Sequence, residues 1–96
     1  NAWIHALMTA FVCIAAIAFQ ITKIEWCLIV ISIAAVWTAE AMNTAIEKLT
    51  DLVSPELHPL AGKTKDAAAG AVLVIAIGAA IVGGIIFLPH ILALAD

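Results

Sequence analysis

Residues 67–88 contain no charged side chain and no hydroxyl, amide or imidazole. About 20 apolar residues in a helix cover the hydrocarbon core of a bilayer, and this run meets that length alone. In lipid the backbone must satisfy its own hydrogen bonds, so a helix is the form such a stretch adopts. Two further runs repeat the theme. Trp3 to Phe19 is apolar apart from His5 and Thr9. Trp26 to Ala39 is the second, and its helical pattern continues through Glu40 to about Leu52. Gln20, Thr22, Lys23 and Glu25 break the first two runs apart. Ser54-Pro55 and His58-Pro59 are expected to stop any helix, and Pro89 to end the third. The expected fold class is an all-α membrane protein with three transmembrane helices per protomer, residues 1–96 forming one domain.

Composition supports the bilayer. The hydrophobic fraction is 66% and the charged fraction 11%, against about 45–50% and 25% in soluble domains. A soluble chain of 96 residues has too little interior to hide that much apolar surface. With no arginine and four lysines, the chain lacks the basic footprint of a nucleic-acid binder. Cys13 and Cys27 lie in separate apolar runs, match neither a disulfide framework nor a zinc spacing, and read as small hydrophobes. Lys48, Lys63 and Lys65 fall between the second and third runs, which puts the 52–66 connection on the cytoplasmic side. Trp3 and Trp26 open their runs as interfacial anchors do. Ala76, Ala80 and Gly84 form a ladder of small residues that permits close helix approach. Three short helices bury little against one another, so a homo-oligomer is expected.

The stretch "AEAMNTAIEKLTD" raises a chemical question. Glu40, Asn43, Glu47 and Asp51 are spaced by three, four and four, which sets them within an arc of roughly 80° on a helix. Acids on one face repel unless something positive sits among them. An ionisable group in a span costs several kcal/mol or more and by default marks function. Glu40 is the deepest, beside Val36 and Trp37, and suits proton abstraction. Glu47, nearer the aqueous boundary, suits Mg²⁺, which takes one or two carboxylates plus substrate phosphates. Lys48 and Asp51 also fit a solvated helix end. Lys65 and Asp66 are expected at the start of the third helix. Lys65 facing the acidic stripe would hold a phosphate chain, although it is also suited to snorkelling and Asp66 to capping. Ala69, one turn on, leaves space for a headgroup. His58 with Glu56 suits contact with an adenine ring. "AGKT" lacks the first glycine of a phosphate-binding loop, since Leu57 stands in its place, and no strand precedes it. A buried base, a carboxylate metal ligand and a cation together suit phosphoryl transfer. The rival reading is a proton- or ion-translocating membrane subunit using Glu40.

The stretch "EAMNTAIEKLTDLVSPELHPLAGKTKDAAAGAVLV" resembles the prokaryotic integral-membrane diacylglycerol kinases, a family that includes the undecaprenol kinases of Gram-positive bacteria. The ExxNxAIE core, the SPExHPLA loop and the KD pair before the AAGAVL helix carry the resemblance. It implies a homotrimer in the bacterial inner membrane, with active sites shared between subunits on the cytoplasmic side. It implies MgATP as donor and a membrane lipid alcohol as acceptor, diacylglycerol or undecaprenol. The loop and the AAGAVLV helix lean towards the undecaprenol kinases. Glu40 matches the catalytic base and Glu47 a metal-ligating, ATP-contacting glutamate. Glu56, Leu57, His58, Lys65 and Asp66 match ATP-contacting positions, and Asn43 a supporting asparagine beside Asp51. Ala69, Trp26 and the 83–88 segment would border the lipid. The family's N-terminal amphipathic helix is absent here, and its second metal-binding glutamate lies upstream of the position Asn1 matches. Ala2-Trp3 stands where many members carry Phe-Arg. The expectation is a trimmed domain, less active than a version extended at the N-terminus.

Overall fold

The computed structural model describes residues 2–96, so Asn1 lies outside the described residues. The described residues form three helices: α1, Ala2–Phe19; α2, Lys23–Val53; and α3, Pro59–Leu94. Each is long and apolar enough to cross a membrane.

The α1–α2 corner is built from local hydrogen bonds. Gln20 adopts φ 53, the left-handed conformation that lets a chain leave a helix. Gln20 N then donates to Ile17 O at 3.2 Å and Ile21 N to Ala16 O at 3.3 Å, the crossed pair of a Schellman motif. Its apolar clasp is present too, since Ile21 and Ala16 both belong to the buried core cluster. Thr22 then opens α2 with a capping box: Glu25 N donates to Thr22 Oγ1 at 3.2 Å and Thr22 N to Glu25 Oε1 at 2.9 Å. A left-handed residue with a Cβ is strained by roughly 1 kcal/mol. Gln20→Gly is therefore expected to raise the thermal midpoint in detergent micelles, and an unchanged or lower midpoint would show the strain is not there to relieve.

Two sequence expectations about α3 need correction. It starts at Pro59, not near Lys65, because proline at the first helical position gives up an N–H that has no intrahelical partner anyway. His58 caps it, with Nδ1 accepting from Leu60 N at 3.1 Å. Asp66 therefore lies inside the helix and is not its cap. Nor does Pro89 end the helix, which runs on to Leu94. Membrane helices tolerate an internal proline because local adjustment re-satisfies the freed backbone groups.

α2 and α3 pack along much of their length, while α1 touches α2 more sparsely. The core is a small cluster of Ala16, Ile21, Ile29 and Ile86, flanked by Phe19, Trp26 and Phe87. It clamps the end of α1, the start of α2 and the last third of α3. Ile4, Leu7, Phe11, Ile14 and Ile17 of α1 remain exposed, an outer surface made for lipid or for another subunit. A Cβ added at Gly70, Gly78, Gly83 or Gly84 would meet nothing within 4 Å. These glycines are thus not consumed by close packing inside this protomer.

Helix lengths position the site. With 31 and 36 residues, α2 and α3 are about 46 and 54 Å long, against about 30 Å of hydrocarbon. The core cluster joins the start of α2 to the last third of α3. The second half of α2 and the first third of α3 extend to the other end. That end carries the acidic stripe.

Candidate active site

Glu40 lies level with the first turns of α1. His5 Nε2 and Glu40 Oε2 are 2.9 Å apart, and each side chain is only 17% exposed. Around them, Trp37 Nε1 donates to Thr9 Oγ1 at 2.9 Å, and Thr9 Oγ1 donates to His5 O at 2.7 Å. The His5 and Trp37 rings also meet, with centroids 6.0 Å apart. The sequence reading gave Glu40 only the apolar neighbours Val36 and Trp37; the fold adds an imidazole. On the bilayer side of this cluster runs a groove of about 160 Å³ between the three helices. His5, Thr9 and Trp37 are at its polar end, and Val12, Ile33 and Phe87 are among its apolar walls. Ala80 and Gly83 line it as well, so small residues of α3 help to make its space.

One turn beyond Glu40, Asn43 Nδ2 donates to Glu47 Oε1 at 3.0 Å. Asn43 Oδ1 is buried and has no hydrogen-bond partner among the described residues. A buried carbonyl oxygen without a donor is costly. The amide nitrogen, not this oxygen, meets the Glu47 carboxylate, so Asn43 and Glu47 each bring a hard oxygen to one turn of α2. Among the described residues no three His, Cys, Asp or Glu side chains converge into a complete metal cage. An ion that keeps phosphate and water ligands does not need one, and this donor set fits Mg²⁺ on those terms.

Asp51 is about 16 Å from Glu40 along α2. Lys65 Nζ forms an ion pair with it across the α2–α3 connection, the lysine side chain 39% and the aspartate 63% exposed. The pair borders a pocket of about 140 Å³ lined also by Ser54, Glu56, Leu57 and His58. Five of the predicted site residues, Asp51, Glu56, Leu57, His58 and Lys65, thus meet in one place. Because His58 Nδ1 accepts from Leu60 N, the neutral imidazole carries its proton on Nε2 and offers a donor there. Ser54 Oγ donates to Glu56 O at 3.1 Å and stiffens the loop. Asp66 and Ala69 do not line that pocket. Trp26 lies at the opposite end of α2, packed on the core cluster, about 21 Å from Glu40. A headgroup cannot touch both, whereas one long lipid tail can.

The arrangement is a carboxylate held by His5 at the polar end of an apolar groove, oxygen donors one turn further out, and a lysine with a loop pocket beyond them. The model of the family described as prokaryotic diacylglycerol kinase matches residues 1–87. The chain belongs to that family. Among its relatives, the undecaprenol kinase of Bacillus subtilis (strain 168) is 42% identical over 91 residues, covering 95% of this chain and 74% of that protein. The diacylglycerol kinase of Synechocystis sp. is 45% identical over 80 residues, 82% of this chain and 42% of the relative. That of Haemophilus influenzae is 36% identical over 67 residues, 69% and 57% respectively. The chain therefore spans about three quarters of the first and less than two thirds of the other two. For a diacylglycerol kinase family member, the residues that sequence reasoning missed are His5, Thr9 and Trp37. An imidazole in an otherwise apolar span was the available signal, by the same cost argument that singled out Glu40.

Proposed function

We propose that this protein is a lipid kinase that transfers the γ-phosphate of ATP to a membrane lipid alcohol. The observation that carries the reading is the order of groups along α2: apolar groove, Glu40, Asn43 with Glu47, then Asp51 with Lys65 and the loop pocket. A hydroxyl on a lipid in the groove approaches Glu40 from the bilayer, and nucleotide approaches Lys65 from water. Glu40 accepts the hydroxyl proton. Lys65 neutralises phosphate charge, and His58 and Glu56 contact the base. Glu47 and Asn43 hold Mg²⁺, which when bound neutralises charge on the phosphates. In this reading Asp66 contacts the nucleotide, Ala69 leaves space for the headgroup, and Trp26 borders the lipid tail.

Residues 1–96 form a single kinase domain, multi-pass in the bacterial inner membrane, with this site on the cytoplasmic face. The exposed apolar residues of α1 and the glycines of α3 that no neighbour fills support a homotrimer. An ion-translocating subunit is not favoured: such proteins keep a lone acid near the midplane, whereas here the acids continue outward to a lysine. In lipid vesicles, Mg²⁺-dependent transfer of labelled γ-phosphate from ATP to undecaprenol is expected to exceed transfer to diacylglycerol. The reverse order reassigns the acceptor, and no transfer to either lipid defeats the reading.

A further inference from the structure

We propose that His5 is a positioning residue for Glu40, holding its carboxylate in the orientation from which it takes the acceptor's proton; this rests on the reading of Glu40 as the base. The two residues are 35 apart in sequence and on different helices, so their contact is a product of the fold and not of local geometry. An ionised carboxylate can only accept, so in that state His5 Nε2 must be the donor. With both side chains 17% exposed, water competes weakly, and a hydrogen bond to a charged acceptor is the strong kind.

His5 is itself fixed in place. The Trp37 indole donates to Thr9 at 2.9 Å and packs against the His5 ring. Trp37 is three residues before Glu40, so both cross-helix bonds set the register of α1 against the same part of α2. His5 also lines the polar end of the groove, which puts the imidazole between the lipid's path and the base. In the reaction, the acceptor oxygen bonds to the γ-phosphorus, its proton passes to Glu40, and the γ-phosphorus–oxygen bond to ADP breaks with its electron pair leaving on ADP. The protonated carboxyl still keeps one carbonyl oxygen that accepts from Nε2–H, so the restraint persists through the step. A glutamate has three rotatable bonds, and a misplacement of roughly 1 Å costs about 10²-fold in rate.

The test compares His5→Phe, which keeps a ring against Trp37 but has no donor, with His5→Gln, whose amide nitrogen replaces Nε2. Both are assayed in vesicles with ATP and whichever of undecaprenol and diacylglycerol is turned over faster, with Glu40→Gln alongside. His5→Phe is expected to lower kcat by about 10- to 100-fold with the KM for ATP within about twofold, and His5→Gln to restore kcat to within about threefold of the parent. If His5→Phe does not assemble in the membrane, His5→Asn, whose amide stops short of Glu40, replaces it with the same expectation. A parent-like rate without the donor overturns the proposal. So does a glutamine variant as slow as phenylalanine, or a parallel rise in the KM for ATP. Retained turnover in Glu40→Gln sinks the base itself; its loss together with a parent-like His5→Phe sinks only the role of His5.

Discussion

Glu40→Gln is expected to lower kcat by about 10²- to 10⁴-fold, the usual worth of a positioned base, while the KM for ATP stays within about twofold. The amide keeps the shape of the carboxyl, and its carbonyl oxygen still accepts from the His5 imidazole, so the contact with α1 at 2.9 Å has a replacement. What is lost is the capacity to take up a proton. The loop pocket around Glu56, His58 and Lys65, proposed above for the nucleotide, is about 16 Å further along α2 at Asp51, so ATP binding has little reason to change. Single-turnover phosphorylation of the lipid, with ATP binding measured separately, separates the two effects. Weakened ATP binding with an intact chemical step would move Glu40 from the acceptor side of the reaction to the nucleotide side.

Lys65→Met should lower kcat/KM for ATP by about 10²- to 10³-fold, as removal of one group stabilising transition-state charge typically does. Asp51→Asn should change it by no more than about threefold, because a pair this exposed contributes little by itself. The contrast matters because Lys65 and Asp51 touch. If the ion pair is only a brace between α2 and α3, breaking it from either side has the same consequence. If Lys65 meets phosphate, the two variants diverge. Equal effects in steady-state kinetics with varied ATP would reduce Lys65 to a structural partner.

The three apolar runs were legible because bilayer thickness and backbone hydrogen bonding leave a chain few options. The stripe from Glu40 to Asp51 was legible because it lies on one helix, whose periodicity is fixed. The start of α3 was not. Pro55 and Pro59 read alike as helix breakers, but proline is also the preferred first residue of a helix, and the choice turned on the His58 side chain reaching Leu60 N. Pro89 misled for a related reason, since the penalty of an internal proline is softened in a membrane helix. His5 escaped notice as a partner of Glu40 because their meeting depends on the register of α1 against α2. That register is set by Thr9, Trp37 and the Ala16–Ile21 clasp, none of which announces its counterpart in sequence. The convergence of Asp51, Lys65 and the 54–58 loop was easier, because a short connection holds its own two ends together.

The place of Glu40 along α2 has a practical meaning for the substrate. It lies about 26 Å from the start of α2 and about 16 Å short of Asp51. The carboxylate thus stands nearly one hydrocarbon thickness from one end of the helix, with the remaining turns beyond it. An alcohol floating in the leaflet can therefore offer its oxygen without being hauled out of the oil, its tail staying dissolved while a soluble cosubstrate is met at the waterline.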